Sequence, residues 1–332
     1  MFYTKGQTME KKNFKINAHL ILALAIILFL VLIVVRILNF GNRITKEDMD
    51  AISVPDNAAE ENYDEILPRM TEDDGTFPED DQITTVLCFG NQPFSDDRDS
   101  ADSLCSLFEA QTGATVYNCS VPGSYMAVRG SYVPDSYAMD AFSFYYMALL
   151  FAKGDDSYAE EVFAQTEVSE EIKDTVALLK SIDARTIDAV FVMYDGSDYL
   201  DSSAAYNDDY LTDYICYTGG LAAGIQAIQE SYPWIRIIVM APTYAFAVGE
   251  DGSYISSDIQ KNAMGCKMSV YILKQAETAS LLSVSFVDTF YGGIHEDIAS
   301  DYLIDNLHLN KAGRQLVANR MREALGKYTV IY

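Results

Sequence analysis

Hydrophobic positions divide the chain into three regimes. Residues 20–35 are apolar without interruption, and flanks with few charges extend that run to 16–40. At about 1.5 Å per residue a helix of this length crosses a hydrocarbon core of roughly 30 Å, so a transmembrane segment is expected there. Between 41 and 82 no period is legible, and Pro55, Pro68 and Pro78 interrupt the stretch. From 84 onward short apolar runs alternate with longer amphipathic ones. The runs at 84–89, 115–119, 189–194, 236–240 and 283–288 have the length and composition of buried parallel strands. Helices are expected at 100–111, 138–153, 169–182, 212–231, 257–280 and 311–327, the first capped by Ser100 and stopped by Gly113. This alternation predicts an α/β three-layer sandwich, flavodoxin-like, with one central parallel sheet. Ligands of such sheets gather outside the carboxyl ends of the strands.

Charge sharpens the division. Lys5, Lys11, Lys12 and Lys15 precede the apolar run, which favours an uncleaved signal anchor with 1–15 in the cytoplasm and the rest outside the cell. The formal charge is −26 overall, and beyond residue 40 it is −30, from 48 acidic and 18 basic residues. Such a surface repels nucleic acid and anionic headgroups, so nucleic acid is excluded as a partner. The 41–82 stretch carries ten acids from Asp56 to Asp80 against Arg69 and reads as an extended, self-repelling linker. The ordered domain is therefore expected at 83–332, and the membrane enters as a partner only through the N-terminal helix.

Five cysteines are spread widely with no C-x-x-C pair, and buried free thiols account for Cys88 and Cys119 within apolar runs. The ligand spacing of a zinc site is absent, as is the glycine-rich fingerprint of a dinucleotide, so no metal or cofactor is expected.

The candidate chemistry lies in four segments, each just after a strand or opening the last helix. These are Phe89-Gly90-Asn91-Gln92, Asn118-Cys119-Ser120-Val121-Pro122-Gly123, Tyr194-Asp195-Gly196-Ser197-Asp198 and Asp305-Asn306-Leu307-His308. In this order and spacing they resemble the four blocks of the SGNH (GDSL-type) hydrolases, across most of 84–327. The resemblance implies an acyl- or carbohydrate-ester hydrolase lineage acting on envelope material. It also implies His308 as general base, Asp305 as the group orienting its ring, and the Gly123 N–H as an oxyanion donor.

Two blocks depart from that pattern. Gln92 stands where the resemblance places the nucleophilic serine and Asn91 where it places the preceding aspartate, while Asp198 takes the place of the oxyanion-donating asparagine. Glutamine cannot attack an acyl carbon, and losing the nucleophile of a serine hydrolase costs about 10⁶ in turnover. Three readings stay open. Another nucleophile could serve, with Ser95 as first candidate, Ser124 as second, or a water activated by His308. The cleft could instead bind a glycan or acylated polymer without cleaving it, or Asp305 and His308 could merely cap the last helix. Asp96, Asp97, Asp99, Asp195, Asp198 and Asp201 all follow strand ends, and a convergence of these acids would favour a cation or sugar hydroxyls over an oxyanion. His295 is read as structural.

Overall fold

The computed structural model describes residues 62–68, 78–129, 138–329 and 331. The expected transmembrane segment at 16–40 and most of the expected linker lie outside the described residues. Among the described residues no helix is long and apolar enough to cross a membrane.

Five parallel strands form the central sheet in the order β2-β1-β3-β4-β7. They are β1 (Thr85–Gly90), β2 (Thr115–Asn118), β3 (Ala189–Met193), β4 (Arg236–Met240) and β7 (Ser285–Val287). β1, β3 and β4 are buried along their whole lengths, as a sheet covered on both faces requires. Gly90 pairs with Met193, and Met193 with Met240, so three strands end side by side at one edge. The strand order turns outward from β1 and β3, and the crevice at that turning point is where such sheets bind ligands.

Helices cover the sheet largely where the apolar periods place them. These are α2 (Leu104–Thr112), α3 (Phe144–Lys153), α5 (Glu170–Ser181), α7 (Tyr217–Ser231), α8 (Met268–Leu281) and α10 (Lys311–Gly326), with shorter α1 (Gln92–Ser95), α4 (Ser157–Gln165), α6 (Ser197–Leu200) and α9 (Glu296–Tyr302) between them. The first long helix starts three residues later than expected, because Ser103 rather than Ser100 accepts the N–H of Ser106, at 3.2 Å. Gly113 does close it, with φ +73°. The expected helix at 138–153 is broken: a 3₁₀ turn (Ala138–Phe142) precedes Ser143, and only then does α3 begin. Tyr146 and Met147 on α3 are buried, and Phe144 fills the space a side chain at Gly224 would need, 2.4 Å from its ring. Those aromatics are therefore core. The long helix expected at 257–280 shrinks to α8, and nearly half of its expected length, before Met268, is spent in turns beside a small antiparallel hairpin, β5 (Ala247–Val248) with β6 (Tyr254–Ile255). All five cysteines are free and buried.

Part of the expected linker belongs to the domain. Glu65 and Phe286 exchange backbone hydrogen bonds of 3.0 and 2.8 Å, so residues 62–68 run antiparallel along the outer edge of β7. Asp64 takes both a backbone N–H from Asp288 and the guanidinium of Arg320 on α10. Asp64, one acid of that charge run, thus has specific partners, which a solvated spacer lacks.

Candidate functional site

β1 ends on a glycine for a steric reason. A Cβ at Gly90 would sit 2.0 Å from the Met193 carbonyl oxygen of the adjacent strand. The chain then turns directly into α1, with Pro93 in its first turn. This sets Asn91 and Gln92 at the mouth of the crevice.

Asn91 is buried and joins three segments. Its Nδ2 donates to Asp195 Oδ1 at 2.9 Å and to the Ser124 carbonyl at 3.0 Å, and its Oδ1 accepts the Asp195 N–H at 2.9 Å. Gln92 follows. In the swapped amide orientation Nε2 lies 3.3 Å from Asp195 Oδ2 and 3.0 Å from Asn91 Nδ2, and Oε1 accepts the Gly123 N–H at 3.3 Å. Gly123 adopts φ +75°, a conformation glycine takes without a steric penalty. The donor that the resemblance assigns to an oxyanion thus faces the oxygen of a side-chain amide.

The fourth block supplies an oriented imidazole. His308 Nδ1 and Asp305 Oδ2 are 2.7 Å apart, while Asp305 Oδ1 accepts the N–H groups of Leu307 and His308, each at 2.8 Å. Asp305 therefore both shapes the turn before α10 and orients the ring. Burial by itself would lower the His308 pKa, but the hydrogen bond and charge of Asp305, with Asp96 and Asp195 beyond, leave it above its ordinary value. Burial works against the Asp305 carboxylate, yet the two backbone N–H groups and His308 hold it below the usual range. Asp195 is buried and pushed up by desolvation, which outweighs its hydrogen bonds from Ser197 and Asn91 and the attraction of His308. Asp96 is raised for the same reason against His308 and Arg314. The crevice holds an imidazole with a raised affinity for its proton, an amide, a backbone N–H and two carboxyls that burial pushes toward the neutral form.

The third block needs a correction. Asp195, not Asp198, touches Asn91 and Gln92. Asp198 is turned inward from α6 and accepts the N–H groups of Met126 at 2.9 Å and Ala127 at 3.3 Å. Counting from the end of the strand locates this site better than matching the motif, because β3 stops at Met193 and Asp195 follows two residues later.

Ser95 needs one as well. The turn that Pro93 starts is helical, and it carries Ser95 into a separate cavity lined by Arg98, Asp99, Glu171, Asp174 and Thr175 rather than to His308. The Ser95 hydroxyl is buried and has no hydrogen-bond partner among the described residues. Ser124 is fully buried and donates to the Val121 carbonyl at 2.7 Å, so it is no nucleophile either.

The strand-end acids do not converge as one cluster. Asp97 pairs with Arg314 at 2.8 Å, Asp201 meets Tyr125 and Arg129, and Arg98 pairs with Glu171 at 3.1 Å instead of with a neighbouring aspartate. Among the described residues no group of histidine, cysteine and carboxylate side chains suits a metal ion. His295 caps α9 and lies 4.0 Å from Asp297, away from this chemistry.

No known family profile matches the chain, and no curated protein does. Solved structures do. One crystal structure matches at 19% identity with a TM-score of 0.53, over 75% of this chain and 99% of the other. A protein from Lactobacillus plantarum matches at 15% identity with a TM-score of 0.52, over the same two shares. A carbohydrate acetylesterase from Sinorhizobium meliloti matches at 12% identity over 73% of this chain and 98% of that one, with a TM-score of 0.45, too low to support an inference. At these identities the first two likenesses establish the fold alone.

Proposed function

We propose that this chain, which resembles the SGNH hydrolases in fold and in the order of its four blocks, is a catalytically degenerate member of that ester-hydrolase lineage. In this reading its crevice binds a neutral glycan of the cell envelope, and the 16–40 helix tethers it to the outer face of the membrane. The observation that carries the reading is the Gln92 amide, which spans the Gly123 N–H and Asp195 at the place where a nucleophile would stand. An amide supplies no nucleophile. Asp195 presents a carboxyl where a developing oxyanion needs a donor, and losing a single such donor already costs about 3–4 kcal/mol. The raised His308 spends more of the neutral range as imidazolium, which cannot accept a proton. The same groups suit hydroxyl and acylamino substituents, which both donate and accept, and the acidic surface disfavours anionic polymers.

The intact His308–Asp305 pair favours a second reading, residual hydrolysis through a water activated by neutral His308. The two separate by direct measurement. In the binding reading, uncharged envelope oligosaccharides shift the His308 ring and Gln92 amide resonances saturably and are recovered uncleaved. Recovery of deacylated product, lost in His308→Ala, would establish hydrolysis instead.

A further inference from the structure

Asp198 is a charge that the crevice does not use. Its residue is 1% exposed, and among the described residues no cation forms an ion pair with it. The titratable groups that act on it or feel it are Asp195 in the same connection, Tyr194 just past β3, Tyr217 opening α7 and Tyr271 on α8, none of them basic. Two backbone amides of the loop leaving β2, together with the side chain of Ser203, favour the carboxylate. Each oxygen takes one N–H, Oδ2 that of Met126 and Oδ1 that of Ala127. Three residues before Met126 in this loop is Gly123, whose N–H faces Gln92.

We propose that Asp198 is the positioning residue of the crevice: its ionised carboxylate clamps two consecutive amides and so fixes the loop that presents the Gly123 N–H, and protonation releases the clamp. The proposal deepens the binding reading and rests on it only for the consequence to a ligand. The physical step is simple. An ionised carboxyl accepts strongly at both oxygens, whereas a protonated one leaves one of the two amides facing only the weak acceptor oxygen of an O–H. Two amides then share one strong acceptor, in a place buried from solvent. Burial, only partly offset by the two amides and the Ser203 side chain, pushes the Asp198 carboxyl up to about 7, which puts the release within the neutral range. Because the pKa is raised, the sign is fixed: the clamp is closed above that value and opens as pH falls through it.

The test is amide NMR on the full chain in detergent micelles between about pH 5.5 and about pH 8.5. The Met126, Ala127 and Gly123 amides are expected to titrate with one shared midpoint near neutrality, with exchange protection of Met126 and Ala127 about tenfold higher on the alkaline side. Asp198→Asn, which brings an NH₂ against one of the two amides, should remove the midpoint and leave the loop poorly protected throughout. If that variant fails to fold, Asp195→Asn serves. It keeps Asp198 and removes the repulsive charge of Asp195, so the shared midpoint should move to lower pH. Static amides across the range, or a midpoint that survives Asp198→Asn, would overturn the proposal. Glycan binding with static amides would sink this inference alone, while titrating amides without any glycan binding would sink the binding reading alone.

Discussion

Arg236 offers the sharpest test of how the fold holds its site. It opens β4, is 2% exposed, and spends its guanidinium on oxygens at the carboxyl end of α10. Nη2 donates to the Ala324 carbonyl at 2.8 Å, and Nη1 to the Leu325 carbonyl at 3.0 Å and Thr329 Oγ1 at 3.1 Å. Nε reaches the Leu67 carbonyl at 3.0 Å, tying in the edge segment. Helix-end carbonyls lack intrahelical donors and carry the negative pole of the helix dipole, so a buried cation there is stabilising. Arg236→Leu strips the donor from three carbonyls. Hydrogen bonds to a charged group are worth about 1.5–3 kcal/mol each, but leucine recovers apolar burial of about 2 kcal/mol and removes the cost of burying a charge. The balance is a loss of about 3 kcal/mol. With a urea m-value of roughly 3 kcal/mol per molar, the midpoint should fall by about 1 M. Trp234, the only tryptophan, lies two residues away and reports unfolding by fluorescence. Arg236→Lys should lose about half as much, since an ammonium lacks the planar fork. A fall of under about 0.3 M for the leucine variant, within the error of such extrapolations, would refute the clamp.

Further outcomes are expected elsewhere. By NMR, His308 should titrate above its ordinary value of 6.5 and return toward it in Asp305→Asn. Its contribution to stability is fully present below 6.5 and is lost as pH rises through the raised value. That of Asp305 is present above 3.8 and is lost as pH falls through its depressed value. Both side chains are more than a third exposed, so each effect should stay under about 1 kcal/mol in a denaturation series against pH. Gly90→Ala should cost about 2–3 kcal/mol or prevent folding, because the new Cβ meets the Met193 carbonyl; a neutral result in thermal melts would contradict the strand geometry. A chain begun at 83 should melt several degrees below one begun at 62, since it lacks the Glu65–Phe286 pairing and the Asp64–Arg320 ion pair.

The sheet was legible because its strands are short apolar runs, the first of them ending on Gly90. His308 and Asp305 were legible because both roles of Asp305 are local, two and three residues away. What escaped depends on contacts distant in sequence. Asp195 and Asp198 look alike along the chain, and only the meeting of Asp195 with Asn91, 104 residues earlier, tells them apart. Ser95 looked available because nothing local shows which side of α1 faces Arg98. The docking of 62–68 is set by partners at 286, 288 and 320, so an acidic, proline-punctuated sequence concealed it. Ser143 ends one short helix and precedes another, a break that an unbroken apolar period over 138–153 hides.

The central claim is that Gln92 and Asp195 have silenced an inherited hydrolytic crevice while His308 and Asp305 remain aligned. Initial rates on p-nitrophenyl acetate, for the unaltered chain and for Asn91→Asp, Gln92→Ser, Asp195→Asn combined, test it most directly. The unaltered chain should match the His308→Ala background, and the triple variant should exceed that background by at least about tenfold, a gain limited by the need to place a nucleophile within about 0.5 Å. Brisk hydrolysis by the unaltered chain that His308→Ala abolishes would contradict the account and make this crevice an active esterase.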